Sequence, residues 1–403
     1  MTTYMTSAEA AARLGVSRQT LYAYVSRGLL RAEPGATHRD RQYLAIDVER
    51  LAIERARARK PREVARATLS WGLPVLESAI TLIEDEQLYY RGQDAIALAG
   101  SASVEAVAGL LWQVPQALAF GAVPPVWPDV MPALLAQYGD RRAEEGVLPL
   151  FTVATDDAHT AQMPDLTADP IIEGCGALVR LMAACLLGTV PDARPVHEQC
   201  AHAWRLDPTG AELVRMALVL CADHELNASG FTARCIASTG ASVRASLVGG
   251  LAALTGGFHG ATTRRDEAMW DEIDQQPDDP EHVGRVLRAQ LATGNAIPGF
   301  GHHLYPSGDP RARALLAHVL PFHPKWTTLI ERVFALSGQR PSVDFALVAV
   351  RRHLGLPMGA AFGLFALGRS VGWIAHALEQ RANQSLIRPR AAYVGVRPGP
   401  GAR

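Results

Sequence analysis

Helical periodicity is the feature that most constrains how this chain folds. From residue 71 onward, apolar residues recur at helical spacing in one segment after another, and clusters of glycine and proline separate the segments. Helices are predicted at 104–112, 171–188, 210–226, 241–255, 281–293, 310–320 and 342–354, and strands only around 81–90. Because such helices bury their apolar stripes by packing on one another, we expect a mainly α-helical fold.

The composition is that of a globular protein. The chain has 403 residues, of which 48% are hydrophobic and 20% are charged, so it is too apolar to be disordered and long enough for two or three domains. Its net charge of −1 creates no overall attraction to nucleic acid or to an anionic membrane.

Targeting and metal-binding signals are weak in this sequence. The first residues lack the basic and apolar stretches of a signal peptide, and the longest apolar run, 177–190, is interrupted by Arg180 and too short to span a bilayer. The five cysteines form no Cys-x-x-Cys pair, and neither His-Glu pair (197/198 and 224/225) has the second histidine of a zinc protease helix. We expect a cytoplasmic protein with reduced thiols, no membrane contact and no metal site.

The N-terminal region differs from the rest in charge and pattern. Residues 1–70 contain 13 arginines and lysines but only 7 acidic residues, a local charge of about +6. Thr6 and Glu9 have the spacing of a capping box, Ser17 is placed to cap a second helix, and a Pro-Gly turn at 34–35 separates two short apolar segments. These features predict two short helices, a tight turn and a small β-wing, followed by a third helix that ends near Lys60.

This arrangement resembles the winged helix-turn-helix domains of the MerR and excisionase type, over about 55 residues. The resemblance implies binding to double-stranded DNA, by base contacts from the second helix and backbone contacts from the wing tip. The residues expected to make these contacts are Arg18, Gln19, Tyr22, Arg27, Arg39 and Arg41. The alternative is a helical hairpin that serves for docking or oligomerisation and does not meet DNA.

Four polar segments interrupt the helical body. They are 223–229, 256–260, 298–311 and 342–345. The glycines beside His259 and His302 allow the backbone to approach a ligand closely. Taken singly, each segment has a structural explanation, because a histidine near a helix end is usually a satisfied polar group and an aspartate in a first helical turn usually compensates the helix dipole.

Taken together and in this order, the segments resemble the citrate synthase family. The motifs that carry the resemblance are Asp-His-Glu-x-Asn-x-Ser at 223–229, His-Gly at 259–260, Pro-Gly-Phe-Gly-His at 298–302, Asp-Pro-Arg at 309–311, Val-Asp-Phe at 343–345, Gly-Arg-x-Val-Gly-Trp-Ile-Ala-His at 368–376 and Arg-Pro-Arg at 388–390. A Leu-x-Tyr-Arg-Gly turn at 88–92 also matches. The resemblance covers roughly residues 71–398.

The resemblance implies a Claisen-type condensation of acetyl-CoA with oxaloacetate to give citrate and CoA. Asp344 would remove the α-proton of the acyl group, neutral His259 would donate a hydrogen bond to the thioester oxygen, and His302 would polarise the ketone of oxaloacetate. Guanidinium groups bind carboxylates bidentately, which suits a substrate with two carboxylates. The residues implied to bind oxaloacetate are His224, Arg311, Arg369 and Arg388. No prosthetic group is implied, because CoA enters as a co-substrate.

The resemblance also implies a homodimer, in which Arg388 reaches the site of the neighbouring subunit. The domain organisation expected is a helix-turn-helix domain at 1–60, a linker at 61–70, a large synthase domain at 71–270 and 367–403, and a small synthase domain at 271–366. Closure of the small domain on the large one would exclude water from the substrates.

Some positions depart from the family pattern. They are Ala-Thr-Thr-Arg-Arg at 261–265, His303, and the short, proline-rich stretch 113–170. Because these positions flank the groups expected to hold CoA, 2-methylcitrate synthase, which uses propionyl-CoA, is an alternative. A DNA-binding regulator whose synthase body senses a metabolite without turnover is another, although the complete set of His259, His302 and Asp344 favours an enzyme.

Overall fold

The structure is a computed structural model of the chain. It describes residues 4–27, 29–34, 41–45, 47–48, 51, 76–139, 141–155, 169–292, 297–391 and 393–396. The chain divides into two compact units, Met1–Glu77 and Ser78–Arg403. The linker predicted at 61–70 lies outside the described residues, and the predicted division of the synthase body into a large and a small domain stays a prediction.

The first unit combines two helices with a three-stranded antiparallel sheet. Strands β1 (Tyr4–Thr6) and β2 (Ala32–Pro34) both pair with the central strand β3 (Arg41–Leu44). Helices α1 (Ser7–Leu14) and α2 (Arg18–Ser26) lie between β1 and β2 in the chain. This order of elements confirms the predicted winged helix-turn-helix fold, while most of the third helix predicted up to Lys60 lies outside the described residues.

Local chemistry accounts for the helix ends in this unit. Thr6 and Glu9 form the predicted capping box, in which Glu9 N donates to Thr6 Oγ1 and Thr6 N donates to the Glu9 carboxylate. Ser17 caps α2, and Gly15 ends α1 in the left-handed conformation, with φ of +60°. Leu21 on α2 is fully buried in the apolar cluster that the helices and the sheet share.

The second unit begins with a small antiparallel sheet and continues as a helical body. The sheet contains β4 (Thr81–Glu84), β5 (Gln87–Tyr90) and β6 (Gln93–Asp94), in that order. The helices that follow are α3 (Ala95–Ala99), α4 (Val104–Trp112), α5 (Gln116–Ala119), α6 (Met131–Tyr138), α7 (Ala143–Ala154), α8 (Asp169–Leu187), α9 (Val196–Trp204), α10 (Pro208–Cys221), α11 (Ala228–Ala237), α12 (Val243–Leu254), α13 (Thr262–Ile273), α14 (Pro280–Ala292), α15 (Pro310–Val319), α16 (Pro324–Ser337), α17 (Val343–Leu354) and α18 (Ala360–Asn383).

Helix α18 is the centre of the core. It packs against α4, α10, α11, α12 and α17. Its length and apolar composition would suffice to cross a membrane, but 94% of its 18-residue apolar stretch is buried inside the protein, so here it is a core helix. A Cβ on Gly250 of α12 would lie 2.8 Å from the indole of Trp373, so the close packing of α12 on α18 requires glycine there.

All seven predicted helices are present. The largest error is at the end of α10, which stops at Cys221 where residue 226 was predicted. The helices that the sequence did not predict are α3, α5, α6, α7, α9, α11, α13, α16 and α18. For α18 the physical reason is that almost every side chain from Ala360 to Ala377 is buried, so no amphipathic stripe marks the helix.

Candidate active site

The segment from Asp223 to Ser229 joins α10 to α11 and carries the first site histidine. Asn227 caps α11, because its Oδ1 accepts from the backbone N–H groups of Ser229 and Gly230. His224 in this turn is 6% exposed. Burial, with the nearby guanidinium groups, lowers the pKa of His224 well below its ordinary value, so its imidazole is neutral at physiological pH.

His259 follows α12 and contacts the same turn. Its Nε2 lies 2.8 Å from Ser229 Oγ, and Ser229 Oγ also lies 2.7 Å from Asn227 Oδ1. Since the hydroxyl has one proton, its direction decides which nitrogen of His259 is protonated. Burial and the Arg369 cation lower the pKa of His259 to about 4. His259 is therefore a neutral imidazole.

The segment from Pro298 to Arg311 adds a second neutral imidazole. The ring centroid of His302 lies 5.1 Å from that of His224. Leu304 N donates to His302 Nδ1 at 3.2 Å, which places the ring proton of His302 on Nε2. Burial and the Arg311 cation lower the pKa of His302 to about 4.

Asp309 ties this segment to α17. Its Oδ1 accepts from N and Nε of Arg311, both at 3.0 Å, and its Oδ2 accepts from Nη2 of Arg311 at 2.8 Å and from Val343 N at 3.0 Å. Burial alone would raise the pKa of Asp309, but the Arg311 cation and its hydrogen bonds outweigh burial and lower it. Nη1 of Arg311 makes no hydrogen bond to a described residue.

Asp344 lies in the first turn of α17, directly after Val343. Its carboxylate accepts from Ser342 Oγ at 3.3 Å, and the residue as a whole is half-buried. Burial raises the pKa of Asp344 to about 6, although the Arg311 cation acts in the opposite direction. At physiological pH Asp344 is therefore ionised, and it is a stronger base than an ordinary aspartate.

Arg369 on α18 has a polar atom without a protein partner. Its Nε donates to Cys221 O at 2.8 Å, and its guanidinium lies 4.7 Å from the ring centroid of Phe365. Phe365 also contacts the ring of His259, at 6.1 Å, which places Arg369 near His259. Nη2 of Arg369 is buried and has no hydrogen-bond partner among the described residues. Leaving such a group unsatisfied is costly, and an anion would satisfy it.

The structure thus brings six of the seven predicted synthase-site residues into one connected cluster. Asp344, His259 and His302 are half-buried, whereas Arg311 and Arg369 are buried. The members of the cluster are His224, His259, His302, Arg311, Asp344 and Arg369. Arg388 is not in it, because it lies exposed in the irregular segment after α18. The chemical roles of all seven residues stay predictions.

Sequence reasoning gave no role to three residues that shape this cluster. Tyr305 and Asp309 stand inside a motif that was recognised only for its histidine and arginine. Asp266 on α13 is fully buried, and neither carboxyl oxygen has a hydrogen-bond partner among the described residues. Burial and the Asp344 and Glu267 charges raise the pKa of Asp266 well above its ordinary value.

Metal-ligating side chains are dispersed through the described part of the chain, which contains no group of three or more that could hold an ion. The five cysteines are free thiols. Burial raises the pKa of Cys175, Cys200 and Cys221 to about 12 in each case, so these thiols stay protonated and unreactive.

The predicted DNA-contacting residues form a separate surface on the first unit. Arg18, Gln19, Tyr22 and Arg27 are exposed on or directly after α2, as predicted. The Arg41 guanidinium lies 5.4 Å from the ring centroid of Tyr22, so β3 and α2 present one continuous surface. Arg39 lies outside the described residues.

Two family models match the chain. The model of the citrate synthase C-terminal domain matches residues 151–390, and a helix-turn-helix domain model matches residues 4–55. Because the first match covers more than half of the chain, the protein belongs to the citrate synthase family, and it carries an N-terminal helix-turn-helix domain.

Individual relatives support the same assignment. The chain is 37% identical over 205 residues to putative citrate synthase 2 of Mycobacterium tuberculosis, a match that covers 48% of this chain and 53% of that protein. It thus spans about half the length of this relative. It is 28% identical over 364 residues to the 2-methylcitrate synthase of the same species, covering 80% of this chain and 89% of that protein.

A solved structure shows the shared fold. Citrate synthase from Thermoplasma acidophilum, in a ternary complex with carboxymethyl coenzyme A and oxaloacetate, superposes with a TM-score of 0.67. The sequences are 23% identical, and the match covers 82% of this chain and 96% of the other. The second unit therefore has the citrate synthase fold.

The opposite pKa shifts of Asp344 and Asp309 predict opposite effects on stability. A carboxyl whose folded pKa is raised from 3.8 to about 6 destabilises the fold above pH 6, and this cost disappears as the pH falls below 4. Asp344→Asn should therefore raise the free energy of unfolding at pH 8, by at most about 3 kcal/mol, and by about half as much at pH 5. The measurement is urea-induced unfolding between pH 5 and pH 8.

Asp309→Asn is the matched control. The lowered pKa of Asp309 means that its ionised form stabilises the fold above the unfolded-state pKa and that this contribution is lost as the pH falls. This variant should be less stable than the wild type at pH 8. If both variants changed the free energy of unfolding in the same direction at pH 8, the assigned pKa shifts of Asp344 and Asp309 would be wrong.

Proposed function

We propose that the protein condenses an acyl-CoA with oxaloacetate and releases CoA. The observation that carries this proposal is a cluster of one basic carboxylate, two neutral imidazoles and a buried guanidinium nitrogen without a partner, from Asp344, His259, His302 and Arg369. Enolisation of a thioester needs a base together with a preorganised hydrogen-bond donor for the enolate oxygen. Membership of the citrate synthase family supports the same class of reaction.

Asp344 is the proposed base. The α-proton of a thioester is only weakly acidic, so the carboxylate benefits from a raised pKa. A pKa of about 6 keeps Asp344 ionised at neutral pH and makes it more basic than an ordinary aspartate. Its partial exposure leaves the carboxylate accessible to the acyl group.

His259 is the proposed donor to the thioester oxygen. Its Nε2 faces Ser229 Oγ at 2.8 Å, so the donor must be Nδ1–H. In the structure Ser229 Oγ donates to Asn227 Oδ1, so the proposed role requires the hydroxyl to turn and donate to Nε2, which leaves the ring proton of His259 on Nδ1. Because its pKa is about 4, the ring stays neutral while the enolate oxygen accepts the hydrogen bond.

His302 and two arginines are the proposed receptor for oxaloacetate. Nε2–H of His302 polarises the ketone, the enolate attacks the ketone carbon, and the proton passes to the new alkoxide. Arg369 Nη2 and Arg311 Nη1 remain available for the two carboxylates. His224, whose ring lies against His302, is a further contact to the substrate. Water then hydrolyses the condensed thioester and releases CoA.

The acyl group is the finer part of the proposal. We propose acetyl-CoA, which gives citrate, with propionyl-CoA and 2-methylcitrate as the alternative, since the similar proteins are named for both reactions. One methylene group is worth only about 1–3 kcal/mol in an apolar pocket, so both thioesters belong in the assay.

We further propose an oligomeric state, a domain closure and a cellular location for the reaction. In a homodimer, Arg388 would leave the exposed segment after α18 and enter the site of the partner subunit. Closure of the small synthase domain on the large one would protect the thioester from premature hydrolysis. The reaction needs no metal or prosthetic group, and we place it in the cytoplasm.

The first test of the function is CoA release from oxaloacetate with acetyl-CoA or propionyl-CoA, in the wild type and in Asp344→Asn. The wild type should turn over, with kcat/KM rising through about pH 6 as Asp344 ionises. Loss of the base should lower turnover by about 10²- to 10⁴-fold while oxaloacetate still binds. If the folded Asp344→Asn protein had near-wild-type turnover, Asp344 would not be the base.

Arg369→Leu tests the oxaloacetate receptor. Removal of a charge-assisted hydrogen bond should weaken oxaloacetate binding by about 1.5–3 kcal/mol and change acyl-CoA binding far less. Isothermal calorimetry with each substrate measures both effects. Arg381→Leu, on the same helix but bonded to Ala241 O, is the matched control and should leave both affinities near those of the wild type. Equal weakening of both substrates by Arg369→Leu would make Arg369 a structural residue only.

We propose a second function, DNA binding, for the first unit. The observation that favours it is the continuous exposed surface of α2 and β3, where Arg41 packs over Tyr22 beside Arg18. The local charge of about +6 over residues 1–70 favours phosphates. The alternative, a docking appendage, would need no base contacts.

Selection of genomic DNA fragments by the purified protein tests this function. Arg18→Ala should relax base preference, because base contacts specify sequence, whereas Arg41→Ala should weaken all sequences alike and lower the salt slope by about 1. Arg194→Ala, an exposed arginine of the second unit, is the charge-matched control. If no sequence is enriched at near-physiological salt, with or without oxaloacetate and CoA, the unit is an appendage.

A further inference from the structure

Tyr305 contacts three side chains of the candidate active site at once. Its hydroxyl lies 3.0 Å from Nε2 of His224, its ring centroid lies 4.8 Å from that of His302, and the Arg311 guanidinium lies 5.6 Å from its ring centroid. Tyr305 itself is 1% exposed. Tyr305 thereby links His224 to His302, whose ring centroids lie 5.1 Å apart.

We propose that Tyr305 is a positioning residue for oxaloacetate. Its hydroxyl fixes the tautomer of His224, and its ring fixes the plane of the His302 ring. The proposal rests on the proposed condensation for its kinetic readout. The part of the proposal that assigns the protonated nitrogen of His224 does not depend on the condensation.

The direction of the hydrogen bond follows from the available protons. Burial raises the pKa of Tyr305, so its phenol is protonated, and His224 is neutral with a single ring proton. A phenol O–H is a stronger hydrogen-bond donor than a neutral imidazole N–H, and an imidazole nitrogen is a stronger acceptor than a phenol oxygen, so at the 3.0 Å contact the proton of Tyr305 points to Nε2 and the ring proton of His224 is on Nδ1. Tyr305 therefore donates to Nε2 of His224.

The hydroxyl and the ring of Tyr305 position different histidines. Without the hydroxyl, Nε2 of His224 becomes a buried acceptor without a partner, and both tautomers and other ring angles of His224 become accessible. Without the ring, His302 loses the surface against which its plane is tilted by 35°. His259 depends on neither part, because its contacts are Ser229 and Phe365.

The variants Tyr305→Phe and Tyr305→Leu separate the hydroxyl from the ring. Tyr305→Phe should raise KM for oxaloacetate by roughly 5- to 100-fold, with KM for acyl-CoA within about twofold of the wild type. Tyr305→Leu should show the same rise and in addition a fall in kcat. Tyr138→Phe, which removes the hydroxyl of a tyrosine whose ring faces Arg141, is the matched control and should change none of these values.

Nitrogen NMR of histidine-labelled protein supplies a readout without turnover. The signal of His224 is the one that disappears in His224→Asn. In the wild type it should show a protonated Nδ1 and an unprotonated Nε2, and in Tyr305→Phe it should show a mixture of the two tautomers. If the wild type shows this signal but never releases CoA, the condensation is wrong and the tautomer assignment stands.

Two results would overturn the proposal. One is an unchanged His224 signal in Tyr305→Phe together with an unchanged KM for oxaloacetate. The other is an equal rise in KM for both substrates, which would indicate a general loss of packing and not a role in oxaloacetate binding. Thermal melts of each variant set the assay temperature below its unfolding transition, so a loss of stability does not imitate either result.

Discussion

The buried carboxylate of Asp309 is the interaction on which the rest of the site depends. It accepts one backbone N–H from the start of α15, at Arg311, and one from the start of α17, at Val343, and helix N-termini favour an anion. Two further bonds come from the Arg311 guanidinium. A buried ion pair needs further hydrogen bonds to offset desolvation, and here both oxygens of the carboxylate have them. As a result Arg311 is held rigidly, and Asp344, the proposed base, directly follows Val343, whose N–H is bound to Asp309.

Burial then sets the protonation states that the proposed chemistry needs. Desolvation favours the neutral form of every group, so it raises the pKa of a carboxyl and lowers that of an imidazole. With Asp344 near 6 and both His259 and His302 near 4, the carboxylate is ionised and the imidazoles are neutral over the same pH range. Burial of these groups lowers the stability of the folded protein, because Asp344 and Asp266, whose carboxyl has no hydrogen-bond partner among the described residues, would both be better solvated in the unfolded chain.

Sequence reasoning succeeded where the signal was local. Amphipathic periodicity marked seven helices, capping spacing marked the ends of α1 and α2, and ordered motifs marked the residues that the fold gathers. It failed where the determinant was tertiary. Helix α18 lacks an amphipathic stripe because it is buried on nearly all sides. Tyr305 and Asp309 stood within a recognised motif, but only the fold shows that one reaches His224 and that the other binds Val343 from 34 residues away.

The same tertiary contacts decide which parts of the site form one rigid piece. Gly299 has φ of +76°, and a Cβ there would collide with the Asp266 carboxyl, so only glycine allows this loop to lie so close to α13. Its carbonyl accepts from Ser342 N at 2.8 Å, and Gly301 N donates to Arg340 O at 2.8 Å. The backbone around His302 is thereby bonded to the backbone that leads into Asp344. The geometry between the proposed base and the histidine proposed to polarise the ketone is thus fixed by main-chain hydrogen bonds. His259 is held by a different set of contacts: its backbone N donates to Gly256 O, its backbone carbonyl accepts from Thr262 N, and its ring contacts Ser229 and Phe365.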